Sequence, residues 1–401
     1  MIADHHHPSP LLDRCPESLP AHAYFDAQWY EQEQRTIWTN NWVYVGRLND
    51  HPIATMRRLT LAGANVILCR DKAGALTAFH NTCRHRGAEL CSQDAAPMGA
   101  LIRCPYHAWA YSTSGELVST AYATPTPDFD RREYGLLPVW VKTWNGFIYL
   151  CLADREPEFT IPSLYNRLDN WPLADLVTGH RLVKNLACNW KLFWENYNEC
   201  LHCPGIHPEL CDMVPIYKKG IMSPQESPEW VQDMEHSPSL KPGASTWTQS
   251  GKPCGPEFPD LTAEERAAGY VFVTHYPTMY VVGHVDYVRC VSLKPTGPET
   301  TQLTAEWMFP AETLAQPGFR AAEVARFATT VLLQDGEATE LNQRGLKSPK
   351  FKRGRLMPQE FEIHRFHQWV ARQMKEEGAG GMAMGRRTEG RDQCLARQVD
   401  Q

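Results

Sequence analysis

Cys83-Arg84-His85 and Cys104-Pro105-Tyr106-His107, with eighteen residues between His85 and Cys104, constrain this chain more than any other stretch. Each short cluster pairs one thiolate with one imidazole. A zinc finger groups Cys with Cys and His with His, with at least two residues inside each pair. The order here suits a Rieske-type [2Fe–2S] centre instead, in which two Cys hold one iron and two His hold the other. Each loop then supplies one ligand to each iron. Neutral imidazoles lower the negative charge on such a cluster and raise its potential.

The flanking residues predict a small antiparallel β domain with both ligand pairs in its loops. Short β-type runs occur at Trp42-Val43-Tyr44-Val45, Val66-Ile67-Leu68-Cys69, Leu76-Thr77-Ala78-Phe79, Leu101-Ile102-Arg103-Cys104 and Gly146-Phe147-Ile148-Tyr149-Leu150. Turn signals such as Asp71-Lys72-Ala73-Gly74 and Ser112-Thr113-Ser114-Gly115 separate them. Asp154 to Pro162 has the look of an exit linker. Beyond it, helix and strand signals mix. Asn189 to Cys203 predicts one helix, with an apolar stripe at Trp190, Trp194, Tyr197 and Leu201. Residues 218–262 are rich in Pro, Ser and Gly and predict a long loop. Tyr270 to Val282 and Val285 to Leu293 predict two paired strands around Gly283, and Thr301 to Phe309 a further one. A long helix is expected from Pro317-Gly318 to near Gly345.

Composition excludes several function classes. The 401 residues allow about two or three domains, and 43% of them are hydrophobic. No run of eighteen apolar residues exists, so no membrane span is expected. The net charge of −6, from 40 basic and 46 acidic residues without a basic stripe, argues against nucleic acid as a partner. The opening Asp4-His5-His6-His7 lacks a basic-then-apolar secretion pattern. Thirteen scattered Cys fit free thiols in a reducing compartment, and a cytoplasmic location is expected.

A second metal site is legible further on. Glu199 and His202 are three residues apart and would share one helical face. Pro204-Gly205 breaks the helix and can swing His207 back toward His202. Two His and one carboxylate on three corners of an octahedron form the non-haem Fe(II) oxygenase arrangement, with positions left open for O₂ and substrate. Val324, Phe327, Val331 and Asp335 fall at spacings of 3, 4 and 4, which sets Asp335 on the inward stripe of the long helix. An Asp there is costly unless it is paired or binds a metal. Glu337 and Glu340 lie off that stripe and read as solvated.

Taken together, Cys83-x-His85…Cys104-x-x-His107, Asn196-Tyr197-Asn198-Glu199-Cys200-Leu201-His202-Cys203-Pro204-Gly205-Ile206-His207 and Gln334-Asp335 resemble the α subunit of Rieske non-haem iron ring-hydroxylating oxygenases. The resemblance implies an α+β chain. Residues 1–40 would be an N-terminal helical segment packed on the catalytic domain, 41–155 an antiparallel β Rieske domain, and 156–401 a helix-grip catalytic domain with an antiparallel sheet and a long C-terminal helix. It implies a homotrimer in which the cluster of one subunit faces the mononuclear iron of its neighbour. Glu199 would bridge the centres by bonding His107 of the partner subunit; Glu in place of the more usual Asp keeps the carboxylate and adds a methylene. Electrons from NAD(P)H would arrive through a separate flavin and iron–sulfur reductase, since this chain has no strand–turn–helix GxGxxG unit. Arg84, Arg86 and Arg103 flank the ligands, either as ordinary surface charge or as a docking patch for that reductase.

The wording from Asn196 to Cys211 is most similar to the family's quaternary ammonium branch, exemplified by glycine betaine monooxygenase and related demethylases. That likeness implies hydroxylation of an N-methyl group, with collapse to formaldehyde and the demethylated amine. A trimethylammonium head needs aromatic faces, and Trp247, Tyr276, Tyr280 and Trp307 are the candidates. No basic partner for a substrate carboxylate stands out. The alternative is hydroxylation of an aromatic ring, for instance of an aromatic acid, in a flatter apolar pocket. A non-catalytic electron carrier would have no need of the second metal set. Cys200-x-x-Cys203 sits inside the iron motif rather than after a βαβ strand and reads as structural, not as a redox pair.

Overall fold

A computed structural model describes residues 10–227, 229 and 240–375. The His-rich start, residues 376–401 and part of the expected loop 218–262 lie outside these. Among the described residues, fifteen strands form three antiparallel sheets. The first sheet contains β1 (Val43–Arg47), β2 (Thr55–Leu61), β3 (Ala64–Arg70), β4 (Leu76–His80), β5 (Ala95–Pro97), β9 (Pro138–Trp144) and β10 (Phe147–Cys151), in the order β1-β10-β9-β4-β3-β2-β5. Short strands β6 (Ile102–Arg103), β7 (Ala110–Tyr111) and β8 (Leu117–Ser119) make a separate ladder. The turn between β3 and β4 forms because the Asp71 carboxylate accepts the N–H groups of Ala73 and Ala75 while Gly74 takes a left-handed backbone. β2 carries no apolar run of its own, which is why sequence pattern alone misses it.

The two ligand loops are built alike. Cys83 N–H donates to Ala88 O and Gly87 N–H returns to Cys83 O; Cys104 N–H donates to Trp109 O and Ala108 N–H returns to Cys104 O. In both loops the fourth residue after the Cys has positive φ, 79° at Gly87 and 57° at Ala108. Gly87 adopts that conformation freely, whereas Ala108 is strained there.

The second large sheet runs β11-β15-β14-β13-β12, where β11 is Val177–Leu186, β12 Tyr270–His275, β13 Met279–His284, β14 Val288–Gly297 and β15 Thr300–Phe309. Alternation divides its two faces. Val271, Val273, Met279, Val281, Cys290 and Met308 pack against Tyr44, Phe147 and Tyr149 of the first sheet. Tyr280, Val282, Val291, Ala305 and Trp307 face the other way, into the core that also holds Ala325, Ala328 and Leu332 of the long helix Ala321–Leu346. That helix packs on this face of the sheet and carries one part of the site.

Three expectations need correction. Tyr270 to Val282 is a hairpin of β12 and β13, not one strand: Pro277, after a cis peptide bond, has no N–H for a ladder. The helix expected over Asn189–Cys203 ends at Tyr197. The Glu199 carboxylate accepts the N–H groups of Leu201 and His202, which a continuing helix needs for itself. Leu201, the last member of the proposed stripe, is accordingly exposed. Cys200 and Cys203, read as structural rather than as a redox pair, form a disulfide, although the scattered Cys are expected to fit free thiols better than disulfides. No helix among the described residues is long and apolar enough to cross a membrane.

Candidate active site

The Rieske-type loops bury their thiols and present their imidazoles. Cys83 and Cys104 are buried, His85 is exposed and His107 is half-buried. The two rings stand 4.8 Å apart, with His85 stacked on Trp109 at 4.7 Å. Tyr111 Oη accepts the Arg84 N–H at 3.0 Å and lies 3.2 Å from Cys83 Sγ, so its own hydrogen is free to donate to that sulfur. Burial pushes the Cys83 thiol up, and neighbouring Cys104 adds to this, while the Tyr111 bond works the other way. Two thiols held together in an apolar setting are poor anions unless a metal compensates them, and a hydroxyl on a ligand sulfur is a device that tunes such clusters.

The second set is tighter. Ligating atoms of His202, His207 and Asp335 all lie within 4.8 Å of one another. Asp335 Oδ1 is 2.8 Å from His207 Nε2 and 3.4 Å from His202 Nε2. Each ring is oriented from behind. Glu199 Oε1 lies 2.5 Å from His202 Nδ1, and Gln334 Oε1 lies 2.8 Å from His207 Nδ1. Both Nδ1 atoms are thereby committed and both Nε2 atoms converge, the pattern expected of metal-ligating histidines. Burial opposes charging of His202, but Asp335 and Glu199 prevail and raise it to about 9. Burial likewise works against the Asp335 anion, yet the two histidines hold its carboxyl below the usual range. The donor set thus favours positive charge and fits a divalent iron.

The stripe argument for Asp335 holds in the structure: Val324, Phe327 and Val331 are buried on the same side of the helix. Glu337 is exposed, but Glu340 is not merely solvated, since it accepts the Ala187 N–H at 2.9 Å. Gln334 had no role assigned from sequence. Its adjacency to Asp335 places it one position round the helix, where it reaches the far side of His207.

A cavity opens directly onto His202, His207 and Asp335. Of the four aromatic residues proposed for it, Trp247 and Tyr280 line the wall and two do not. Trp307 is fully enclosed and lies against His180 at 5.4 Å. Tyr276 turns toward Trp194 at 5.0 Å and accepts a hydrogen bond from Asn198 Nδ2 at 2.7 Å. Strand alternation gives a residue's face but not its distance from the opening, and both lie too deep or too far along the sheet. The wall is completed by Tyr197, Tyr217, Tyr270 and Phe272, with Arg289 among them. Tyr197 stacks on Tyr280 at 4.0 Å, and Trp247 meets Tyr270 at 4.9 Å. Tyr270 and Phe272 alternate on β12 opposite the Tyr280 face of β13, a signal hidden while the hairpin was read as one strand.

Residues 173–376 match the family model described as the ring-hydroxylating alpha subunit catalytic domain, and residues 41–134 match the Rieske [2Fe-2S] domain. The chain belongs to the ring-hydroxylating α-subunit family. It is a Rieske non-haem iron oxygenase, and its cofactors are a Rieske cluster and a mononuclear iron. A glycine betaine monooxygenase oxygenase subunit from Pseudomonas aeruginosa is 28% identical over an alignment of 392 positions that covers 89% of this chain and 89% of its own. A carnitine monooxygenase oxygenase subunit from Acinetobacter pittii is 28% identical over 356 residues, covering 85% of this chain and 88% of its own. Among solved structures, the quaternary ammonium Rieske monooxygenase CntA superposes with a TM-score of 0.69 at 20% identity, over 89% of this chain and 95% of that one.

Proposed function

We propose that this chain is the terminal oxygenase of a multicomponent system that hydroxylates an N-methyl group of a small quaternary ammonium compound, such as glycine betaine. The observation that carries the reading is the aromatic wall of Tyr197, Trp247, Tyr270 and Tyr280 around a cavity that opens onto two converging Nε2 atoms and one carboxylate. Ring faces attract a trimethylammonium head electrostatically and bury its methyl groups at the same time. Relatives that act on glycine betaine and carnitine support the same substrate class.

In this reading His202, His207 and Asp335 hold the mononuclear iron, and Cys83, His85, Cys104 and His107 hold the cluster. When bound, the two centres together supply electrons and O₂ activation. The protein's own part is positioning. Glu199 and Gln334 fix the imidazole planes, while Leu210, Val331 and Leu332 keep the cavity apolar around the reacting methyl. The hydroxymethyl product then loses its C–N bond without further help: the nitrogen keeps the electron pair, formaldehyde leaves, and the hydroxyl proton passes to solvent.

The exposed imidazole edge of the cluster suits electron delivery outside its own β domain. Glu199 and Asn196 line the iron cavity and also a second, polar depression bordered by Tyr24, Glu195 and Glu360. That depression would admit His107 of the partner subunit in a head-to-tail homotrimer, with Glu199 as the bridge between centres. NAD(P)H and flavin belong to the partner reductase. Purified protein reconstituted with reductase and NADH is expected to release formaldehyde from glycine betaine. Diol from an aromatic acid, with no formaldehyde from any quaternary amine, would overturn the proposal in favour of ring hydroxylation.

A further inference from the structure

Arg289, on β14, is 4% exposed, yet among the described residues no carboxylate, carbonyl or hydroxyl accepts a hydrogen bond from it. Its Nε is enclosed without a partner. A guanidinium stays charged at any pH that a protein survives, so the charge cannot be relieved by losing a proton. The other enclosed arginine also has an unpartnered Nε, but its terminal nitrogens are paired. Arg47, 1% exposed, donates to the carbonyls of Asn145 at 2.8 Å and Leu173 at 2.5 Å. Arg181 at the sheet edge is held by Asp50 and Glu306. Arg289 differs in one further respect: it lines the cavity that opens onto the iron-binding set.

Its surroundings are mostly aromatic rings. The guanidinium carbon lies 5.7 Å from the Trp247 ring and 6.0 Å from the Tyr280 ring. Trp247 Nε1 is buried without an acceptor, and both ring nitrogens of His284, one a donor and one an acceptor in the neutral ring, are buried without a partner; that ring lies 5.6 Å from Trp247. Burial, and then repulsion by Arg289, keeps His284 neutral. The carboxylates that share the cavity, Asp335 and Glu199, are committed to the two histidines. An unpaired cation beside a cage for cations would repel a purely cationic ligand. It would attract one that carries its own anion.

We propose that Arg289 anchors the carboxylate of a zwitterionic substrate, holding it by the guanidinium fork while the aromatic faces hold the ammonium head toward Asp335. This deepens the function proposed above and rests on it. The substrate class narrows to betaines, compounds with a quaternary ammonium and a carboxylate, and cationic alcohols such as choline are disfavoured.

The test compares glycine betaine with its methyl ester, which keeps the ammonium head and loses the anion. Wild type, Arg289→Gln and Arg289→Lys are assayed as reconstituted holoenzyme for formaldehyde, and as protein alone for ligand binding by quenching of tryptophan fluorescence. Loss of a charge-assisted fork should reduce kcat/KM and binding for glycine betaine by about 10- to 100-fold in Arg289→Gln. The ester should change less than about threefold, and Arg289→Lys, a point charge without the fork, should fall between. An unchanged visible spectrum of the cluster and an unchanged thermal midpoint certify the fold. Equal losses for betaine and ester, or no loss for either, would overturn the assignment of Arg289. A wild type that makes no formaldehyde but oxidises an aromatic acid in an Arg289-dependent way would overturn the quaternary ammonium reading and leave the carboxylate anchor standing.

Discussion

Lys191→Met should be among the most damaging single changes outside the metal sites. Lys191 and Glu33 are both fully enclosed, with Nζ 2.5 Å from Oε1. Nζ also donates to Asn189 Oδ1 at 2.8 Å and lies over the rings of Tyr24 and Trp190. The Glu33 carboxylate accepts two indole N–H groups, from Trp29 and Trp190, each at 2.9 Å. This network ties the N-terminal helix Ala27–Glu33 to the helix Trp190–Tyr197, which leads straight into Glu199 and His202. Removing Nζ leaves a buried carboxylate with no cation, a change that costs about 3–5 kcal/mol. The two indoles remain, so the lower figure applies. At about 2–4 °C per kcal/mol for a chain of several hundred residues, the thermal midpoint should fall by about 6–12 °C. The readout is a melt followed by circular dichroism and by the colour of the cluster, with Glu33→Leu and the double variant alongside. The double variant should recover much of the loss, because an apolar pair in place of a buried ion pair is often neutral. A Lys191→Met protein within about 1 kcal/mol of wild type, or a double variant worse than the sum of the singles, would refute the reasoning.

Asp335→Ala should abolish turnover by a factor of about 1,000 or more while the visible spectrum of the cluster persists, and iron analysis should show loss of the mononuclear iron alone. Tyr280→Leu should raise KM for a quaternary substrate by about 3- to 30-fold, from a cation–π contribution of about 0.5–2 kcal/mol, whereas Tyr280→Phe should stay close to wild type; steady-state kinetics decide. Ala108→Gly should be neutral or stabilising by up to about 1 kcal/mol because φ is positive there, and Gly87→Ala in the twin loop should be destabilising by about 1–2 kcal/mol; chemical denaturation distinguishes them.

What was legible in the sequence was local. Both ligand loops are closed by their own backbone within six residues, so the motif carries its geometry with it. His202 and His207 fall on either side of Pro204, and the turn between them needs no distant partner. Asp335 was visible because a carboxylate on the stripe of Phe327 and Val331 contradicts the burial of its neighbours. The misreadings share a different origin. Periodicity extends the helix past Tyr197 because it counts apolar side chains and does not register that Glu199 takes the N–H groups of Leu201 and His202. Tyr276 and Trp307 were chosen by residue type, although only their depth in the fold decides whether they meet the cavity.

Arg289 is the sharpest case of what sequence withholds. In the chain it stands between Val288 and Cys290, one arginine among many, and alternation alone would assign it to an inward face where a charge is unwelcome. The same logic had exposed Asp335 on its helix. It fails on β14 because an edge strand and a central strand look alike in sequence, and an arginine on an edge strand simply reaches water. Only the sheet order settles the matter: β14 lies between β13 and β15, so Arg289 has Trp307 as its cross-strand neighbour on one side and Val282 on the other. Neither offers an acceptor. Asp335 and Arg289 therefore pose one physical problem with opposite signs, a charge set in an apolar wall, although Asp335 has two histidines beside it and Arg289 has no partner. In the function proposed above, iron answers the first. In the same proposal an anionic end on the substrate answers the second, and a quaternary nitrogen between the two accounts for the aromatic wall that separates them.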